Sequence, residues 1–261
     1  MNIATPNKRG FAGSYNLWQD ISKGVNAEGT MIYHEATVCA GLPVISTLKD
    51  LIHTGDSVTK IEGIFSGTLS FIFNVFSSGN RPFSDVVTEA KEKGYTEPDP
   101  RDDLNGMDVA RKLTILARLV GLEIEGPPHA FEIESLIPKD LENCATAEEF
   151  MAKLPQYDHG KNIIREEAQT EAKVLRYVGN IDVTRGVIKV GVEGYPTTHP
   201  FAGLQGSDNI VAFYTKRYGD RPLIVQGAGY KKLSYKADDS AGAEVTAMGV
   251  LSDILKIVER V

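Results

Sequence analysis

The 261-residue chain predicts an α+β fold in which a mostly antiparallel or mixed sheet is covered by helices. Three observations carry that expectation. Much of residues 44–172 consists of segments whose apolar side chains recur every three or four positions, the period of a half-buried helix. Residues 173–226 instead break into four short runs rich in β-branched and aromatic residues, separated by Gly, Asp, Asn and Pro. A composition of 42% hydrophobic and 24% charged residues is that of a globular chain with an ample core, in one large domain or two small ones.

Taken in order, Ile3 to Lys8 reads as the end of a strand turning into a loop, and Trp18, Ile21 and Val25 mark a helix ending near Gly29. Residues 31–38 read as a strand. Ala40-Gly41-Leu42-Pro43 turns the chain into a helix over residues 44–52, closed by Gly55. A strand over 58–65 leads to Ser66, which opens an apolar helix through Phe76, and Ser84 opens another to Lys93. Residues 126–140, with Pro127, Pro128 and Pro138, form a connector. Short helices follow at 147–154 and 162–172, their charges read as solvated faces. The four β-rich runs are 173–182, 186–193, 210–218 and 222–226. A polar stretch at 230–240 precedes a final helix from Gly242, whose apolar side is Val245, Met248, Leu251, Leu255 and Val258.

The stretch from Gly94 to Lys112 is the most informative. Glu97, Asp99, Asp102, Asp103 and Asp108 crowd five carboxylates into twelve residues, and the chain then enters a helix. Asn105 is placed to cap it, with Asp108 three residues on in the capping-box position. Leu113, Ile115, Leu116, Leu119 and Val120 give the helix an apolar arc, ended by Gly121. Asp108 and Lys112 lie within that arc, one turn apart, while Arg111, Thr114 and Arg118 take the opposite, wet face. An exposed pair at this spacing is worth only about 0.3–0.5 kcal/mol. A lysine set into an apolar face instead has a movable pKa, which suits proton transfer. A calcium-loop register fails, because Arg101 and Lys112 would fall at the first and last ligand positions.

Other chemistry is narrowed by absence. The net charge of −7 with interspersed signs disfavours nucleic-acid binding. Cys39 and Cys144 form no CxxC pattern, which argues against a zinc site or a disulfide scaffold and fits a reducing compartment. Cys39 reads as a small buried residue rather than a nucleophile. No apolar run is long enough to span a membrane. Neither GxGxxG nor GxxxxGK[ST] occurs, so a complete nucleotide-binding fingerprint is missing. Turns at Thr5–Lys8, Ser66–Thr68 and residues 227–242 could present backbone N–H groups to an anion or simply turn the chain.

The Gly94–Lys112 stretch closely resembles the signature of the homoserine dehydrogenase family. Thr5-Pro6-Asn7-Lys8, Tyr33-His34-Glu35-Ala36-Thr37, Ala40-Gly41-Leu42-Pro43, Ser66-Gly67-Thr68 and Gly206-Ser207-Asp208-Asn209 resemble further family segments in the same order. The resemblance implies NAD(P)H-dependent interconversion of L-aspartate 4-semialdehyde and L-homoserine by a cytoplasmic or organellar homodimer, in the pathway to threonine, methionine and isoleucine. It implies Lys112 and Lys8 as catalytic, Glu97, Asp108, Gly67 and Thr68 as substrate-binding, and Lys8 and Gly242 as cofactor-binding. It further implies a sodium ion on Glu35 and the carbonyls of Val38, Ala40 and Leu42. Residues 1–34 and 241–261 then belong to a Rossmann-type nucleotide-binding domain whose glycine-rich half is not in this chain, and 35–240 form the catalytic and dimerisation domain. Residues 230–240 are an insertion relative to the family pattern, and Cys39 stands where the family usually has glycine. The alternative is a non-catalytic substrate-binding or oligomerisation module of the same family.

Overall fold

The protein is described by a computed structural model over residues 2–229 and 242–260. Its centre is a six-stranded sheet in the order β4-β6-β5-β3-β7-β8. The strands are β3 Val58–Ile64, β4 Glu132–Ile133, β5 Lys173–Asp182, β6 Val187–Pro196, β7 Asn209–Thr215 and β8 Leu223–Gly227. Only the β4–β6 pairing is parallel, so the sheet is mixed and largely antiparallel, as expected.

Alternation along the strands gives the sheet two unlike faces. Ile61, Leu175, Tyr177, Ile181, Val211 and Phe213 point into the main core. On that face α4 Gly67–Ser78, α7 Met107–Leu119 and α9 Asp158–Thr170 pack against β5. Ile64, Val178, Tyr195, Ile210 and Ala212 point the other way and form a smaller cluster with Phe201 and Leu204. The remaining helices of the body are α3 Val44–His53, α5 Phe83–Glu92, α6 Arg101–Leu104 and α8 Ala147–Lys153.

A two-stranded parallel sheet, β1 Ile3–Ala4 with β2 Ile32–Tyr33, stands apart from the main one. α1 Arg9–Ala12 and α2 Tyr15–Glu28 connect its strands, and Gly29 ends α2 in the left-handed region, as the glycine there predicts. α10 Gly242–Val258 packs on β1 and on the 3-10 turn Glu35–Thr37. Among the described residues no helix is long and apolar enough to cross a membrane.

Five expectations are corrected. The strand over 31–38 stops at Tyr33, because Glu35–Thr37 coils into the 3-10 turn and Cys39 and Ala40 reverse the chain with φ of 55° and 54°. The cap of α7 is Gly106 rather than Asn105, although the Asn105 carboxamide oxygen does accept the Met107 N–H at 2.8 Å. Of the three residues expected on the wet face of α7, Arg111 is exposed, but Thr114 is fully buried and Arg118 is 4% exposed. The Arg118 guanidinium donates to the carbonyls of Phe11, Gly13 and Ile124, a layer of chain folded over that face. Likewise Arg165 of α9 is buried, donating to the Arg81 carbonyl and lying over the Phe76 ring, instead of facing solvent. In α10 the apolar side points outward, with Met248, Leu251, Leu255 and Val258 exposed, while Gly249 and Asp253 face the body. The stretch 230–240 lies outside the described residues.

Candidate active site

The site is organised by the start of α7. Gly106 adopts φ +73°, and a Cβ there would collide with the Tyr177 hydroxyl. That hydroxyl is itself fixed, donating to the Glu134 carbonyl at 2.6 Å. The helix therefore begins at one defined point, and one turn of it projects Asp108 and Lys112 side by side.

Lys112 is the most enclosed of these groups. Its Nζ donates to the Phe65 carbonyl at 2.8 Å, where β3 hands over to α4, and meets Asp108 Oδ2 at 2.7 Å. Two of its three N–H bonds are thus engaged among the described residues. From the other sheet, Lys8 brings its Nζ to 3.3 Å from Asp108 Oδ1. Asp108 is the shared anion between two ammonium groups.

The electrostatics follow from this arrangement. Burial alone would lower the Lys112 pKa, but Asp108 outweighs it and the value is raised, so the group stays an ammonium at neutral pH. Burial would raise the Asp108 pKa, but Lys112 and Lys8 outweigh that and hold it well below the usual carboxylate range. A surface pair would be loosened by solvent, but Lys112 keeps only 12% of its side-chain surface exposed.

Beside this trio lies a carboxylate that the sequence reading did not single out. Asp103 Oδ2 accepts the Glu97 N–H at 2.8 Å, and burial, more than the neighbouring Glu97 and Asp108, pushes its pKa up to about 6. The Thr68 hydroxyl lies next to it and donates to the Tyr95 carbonyl at 2.6 Å. The Glu97 side chain itself is exposed at the rim. Gly67 packs its backbone beneath the site, where a Cβ would stand 3.3 Å from the Ser207 carbonyl. The fold brings Lys8, Gly67, Thr68, Glu97, Asp108 and Lys112 to one end of α7, and Asp103 lies with them. Its signal in the sequence was only membership of a dense acidic run.

The residues of the implied cation loop lie on the other side of Cys39. Glu35 is buried, and its two oxygens accept the N–H groups of Ile45 (2.7 Å) and Ser46 (2.9 Å), capping α3. Lys256 stands 3.8 Å from Glu35 Oε2. The Leu42 carbonyl accepts the Val44 N–H at 2.8 Å, while Val38 precedes the left-handed turn and Ala40 lies within it. The donor set is all oxygen, which suits a hard cation, but half of it already holds N–H groups. Cys39 is buried within the field of Lys112, Asp108 and Lys8, and burial raises its thiol to about 12, so it is inert. His34 stacks on Phe11 at 4.0 Å, and burial lowers its pKa to about 3. Gly242 is the first residue of α10.

A dinucleotide crevice in a parallel sheet lies beyond the carboxyl ends of its strands. The parallel strands β1 and β2 point their carboxyl ends at the segments carrying Lys8 and Glu35, so a cation from that crevice reaches Asp108. The fit is to the nicotinamide end alone: Lys8 offers a positive group beside Asp108, and neither GxGxxG nor GxxxxGK[ST] occurs in this sequence to hold the phosphates.

Known proteins match over the whole of this arrangement. The sequence model of the homoserine dehydrogenase family matches residues 43–255. The homoserine dehydrogenase of Emericella nidulans is 53% identical over 268 aligned positions, covering 100% of this chain and 70% of the relative. That of Saccharomyces cerevisiae is 52% identical, covering 100% of the chain and 69% of the relative. A crystal structure of a Candida auris protein of unknown function superposes with a TM-score of 0.91 at 52% identity, covering 99% of this chain and 70% of that one.

Proposed function

The chain belongs to the homoserine dehydrogenase family, and we propose that it serves the NAD(P)-dependent interconversion of L-aspartate 4-semialdehyde and L-homoserine. Members of the family are oxidoreductases of the aspartate pathway acting on a CH–OH group. Identity above 50% along the whole chain favours this over a non-catalytic module. The observation that carries the mechanism is the Lys8–Asp108–Lys112 trio.

Reduction of an aldehyde places negative charge on its oxygen, which then takes a proton. Lys112 supplies both needs. Its remaining N–H points a positive charge at the reacting oxygen and gives up the proton as the alkoxide forms. Asp108 keeps Lys112 charged and fixes its direction, and Lys8 holds Asp108 from the cofactor side. Asp103 and Glu97 pair with the ammonium of the amino-acid substrate, and Thr68 lines the same pocket. The nicotinamide, when bound, supplies the hydride.

Residues 1–34 and 241–261 are assigned to the nucleotide-binding side, with Gly242 and Lys8 facing the cofactor, and 35–240 to the catalytic and dimerisation side. The carbonyls of Val38, Ala40 and Leu42 with Glu35 would hold a sodium ion whose part is to brace this loop. Two copies are assigned to pair through the sheet face that carries Tyr195 and Ala212.

Replacing Lys112 with Met removes the proton donor while keeping the apolar stem in place. Semialdehyde reduction by Lys112→Met is expected to fall by about 10²–10⁴-fold in kcat, the usual worth of one positioned acid. Homoserine affinity should change little. Near-normal turnover in that variant would refute the assignment.

A further inference from the structure

We propose that Asp253 is a positioning residue of the active site, acting through the backbone of Glu35 to hold the left-handed Cys39–Ala40 turn against Lys112. Its position in the fold is unusual. α10 presents Val245, Gly249, Asp253 and Lys256 to the body, spaced at three and four residues, and they meet Tyr33, Glu35, Ala36, Ala40 and Gly41. A Cβ on Gly41 would run into the Val245 carbonyl, and one on Gly249 would sit 3.1 Å from the Ala40 carbonyl. The helix therefore rests directly on the turn.

Asp253 is the bolt in that contact. It is 1% exposed, and its Oδ2 accepts the Glu35 N–H at 2.7 Å while Oδ1 meets Lys256 Nζ at 3.1 Å. The Glu35 carboxylate then caps α3 through Ile45 and Ser46. One residue thus ties the last helix to α3, and the segment between its two ties contains the strained turn. Two consecutive non-glycine residues at positive φ are strained and persist only where the surroundings over-determine them. Cys39 is 2% exposed in the core that also takes in Val109 and Leu113 of α7, and its thiol lies in the field of Lys112, Asp108 and Lys8, so the turn shares one core with the helix that carries the reacting pair.

The test uses the full-length enzyme and reads Cys39 as a reporter, with Cys144 as the control thiol. Only the kinetic arm rests on the proposed reaction; the labelling arm does not. Iodoacetamide labelling followed by peptide mass spectrometry should show Cys39 reacting at least tenfold faster in Asp253→Ala than in the parent, with Cys144 unchanged. Asp253→Asn keeps an acceptor for the Glu35 N–H and should stay within threefold of the parent. Lys256→Met should also leave Cys39 protected. In the kinetic arm, Asp253→Ala should lose at least tenfold in kcat with KM for the semialdehyde little changed, and Asp253→Asn should restore it. If Asp253→Ala does not fold, as both thiols labelling fast would reveal, Asp253→Ser replaces it with the same expectations. Unchanged Cys39 labelling in the alanine or serine variant overturns the proposal. So does an asparagine variant as loose as the alanine one. A parent enzyme without dehydrogenase activity would count against the proposed function, while the labelling result would still stand.

Discussion

Lys112 is pulled in two directions, and the outcome decides what it can do. Enclosure favours the neutral amine; Asp108 at 2.7 Å favours the ammonium and prevails. Asp108→Asn should therefore lower the Lys112 pKa, moving the rising limb of homoserine oxidation and the falling limb of semialdehyde reduction to lower pH. Profiles of kcat/KM against pH in both directions check this; an unmoved limb would dissociate the two residues. Asp103 works with the opposite sign. Its folded pKa of about 6 lies above the ordinary aspartate value of 3.8, so the folded state binds the proton more tightly than the unfolded chain does. Its contribution therefore falls as pH rises through that window and is a cost at neutral pH. Allowing for solvent screening, Asp103→Asn should gain about 1–2 kcal/mol of stability at pH 7–8. It should lose amino-acid affinity and remove a fall in kcat/KM below about pH 6. Asp108 and Lys112 are legible in the sequence because charge interrupts an apolar period. Asp103 is not, since nothing distinguishes it from its exposed neighbour Asp102 until Thr68 and Glu97 are folded over it.

At the scale of elements, apolar period found α7 while its ends and its far face escaped. A cap is set by tertiary contact as much as by residue type. Asn105 carries the expected cap chemistry, yet the chain turns one residue later, where the Tyr177 hydroxyl excludes any side chain. Arg118 and Arg165 look like solvent-facing cations in a sequence, and only the carbonyls folded around them reveal otherwise. The strand expected at 31–38 failed for a related reason: its β-prone residues lead into Glu35, whose carboxylate is required at the start of α3. Gly106→Ala tests how firmly the catalytic helix is seated. A left-handed alanine costs about 1–2 kcal/mol and the clash with Tyr177 about 1–3 more. Chemical denaturation should thus show a loss of about 2–5 kcal/mol, with kcat reduced because Asp108 and Lys112 move together. Adding Tyr177→Phe should recover only the clash, so the double variant should be less than additive.

For the molecule as a whole, the two-residue alternation of the strands was readable, and it sorts the sheet into a helix-covered face and a second, smaller face. What alternation cannot say is what covers that second face. It carries Lys60, Glu62, Tyr195 and Tyr214, with a cavity of about 190 Å³ lined by His199, Pro200, Phe201, Ala212, Tyr214, Pro222 and Ile224. Glu62 is 4% exposed, takes the Tyr195 hydroxyl at 2.5 Å and pairs with Lys60 at 2.7 Å, so its charge is already matched and a partner can cover it without leaving it unpaired. Ile224, on the edge strand β8, is 37% exposed at the mouth of that cavity, beside polar neighbours. Pairing of two copies here would dehydrate the cavity and extend the core across a twofold axis. Light scattering at micromolar concentration should accordingly give a dimer. Ile224→Lys, which places a charge in the contact without touching the helix-side core, should shift it to monomer while leaving far-ultraviolet circular dichroism unchanged. A parent that scatters as a monomer would remove the second face as an interface. A dimer indifferent to Ile224→Lys would place the contact elsewhere on the molecule.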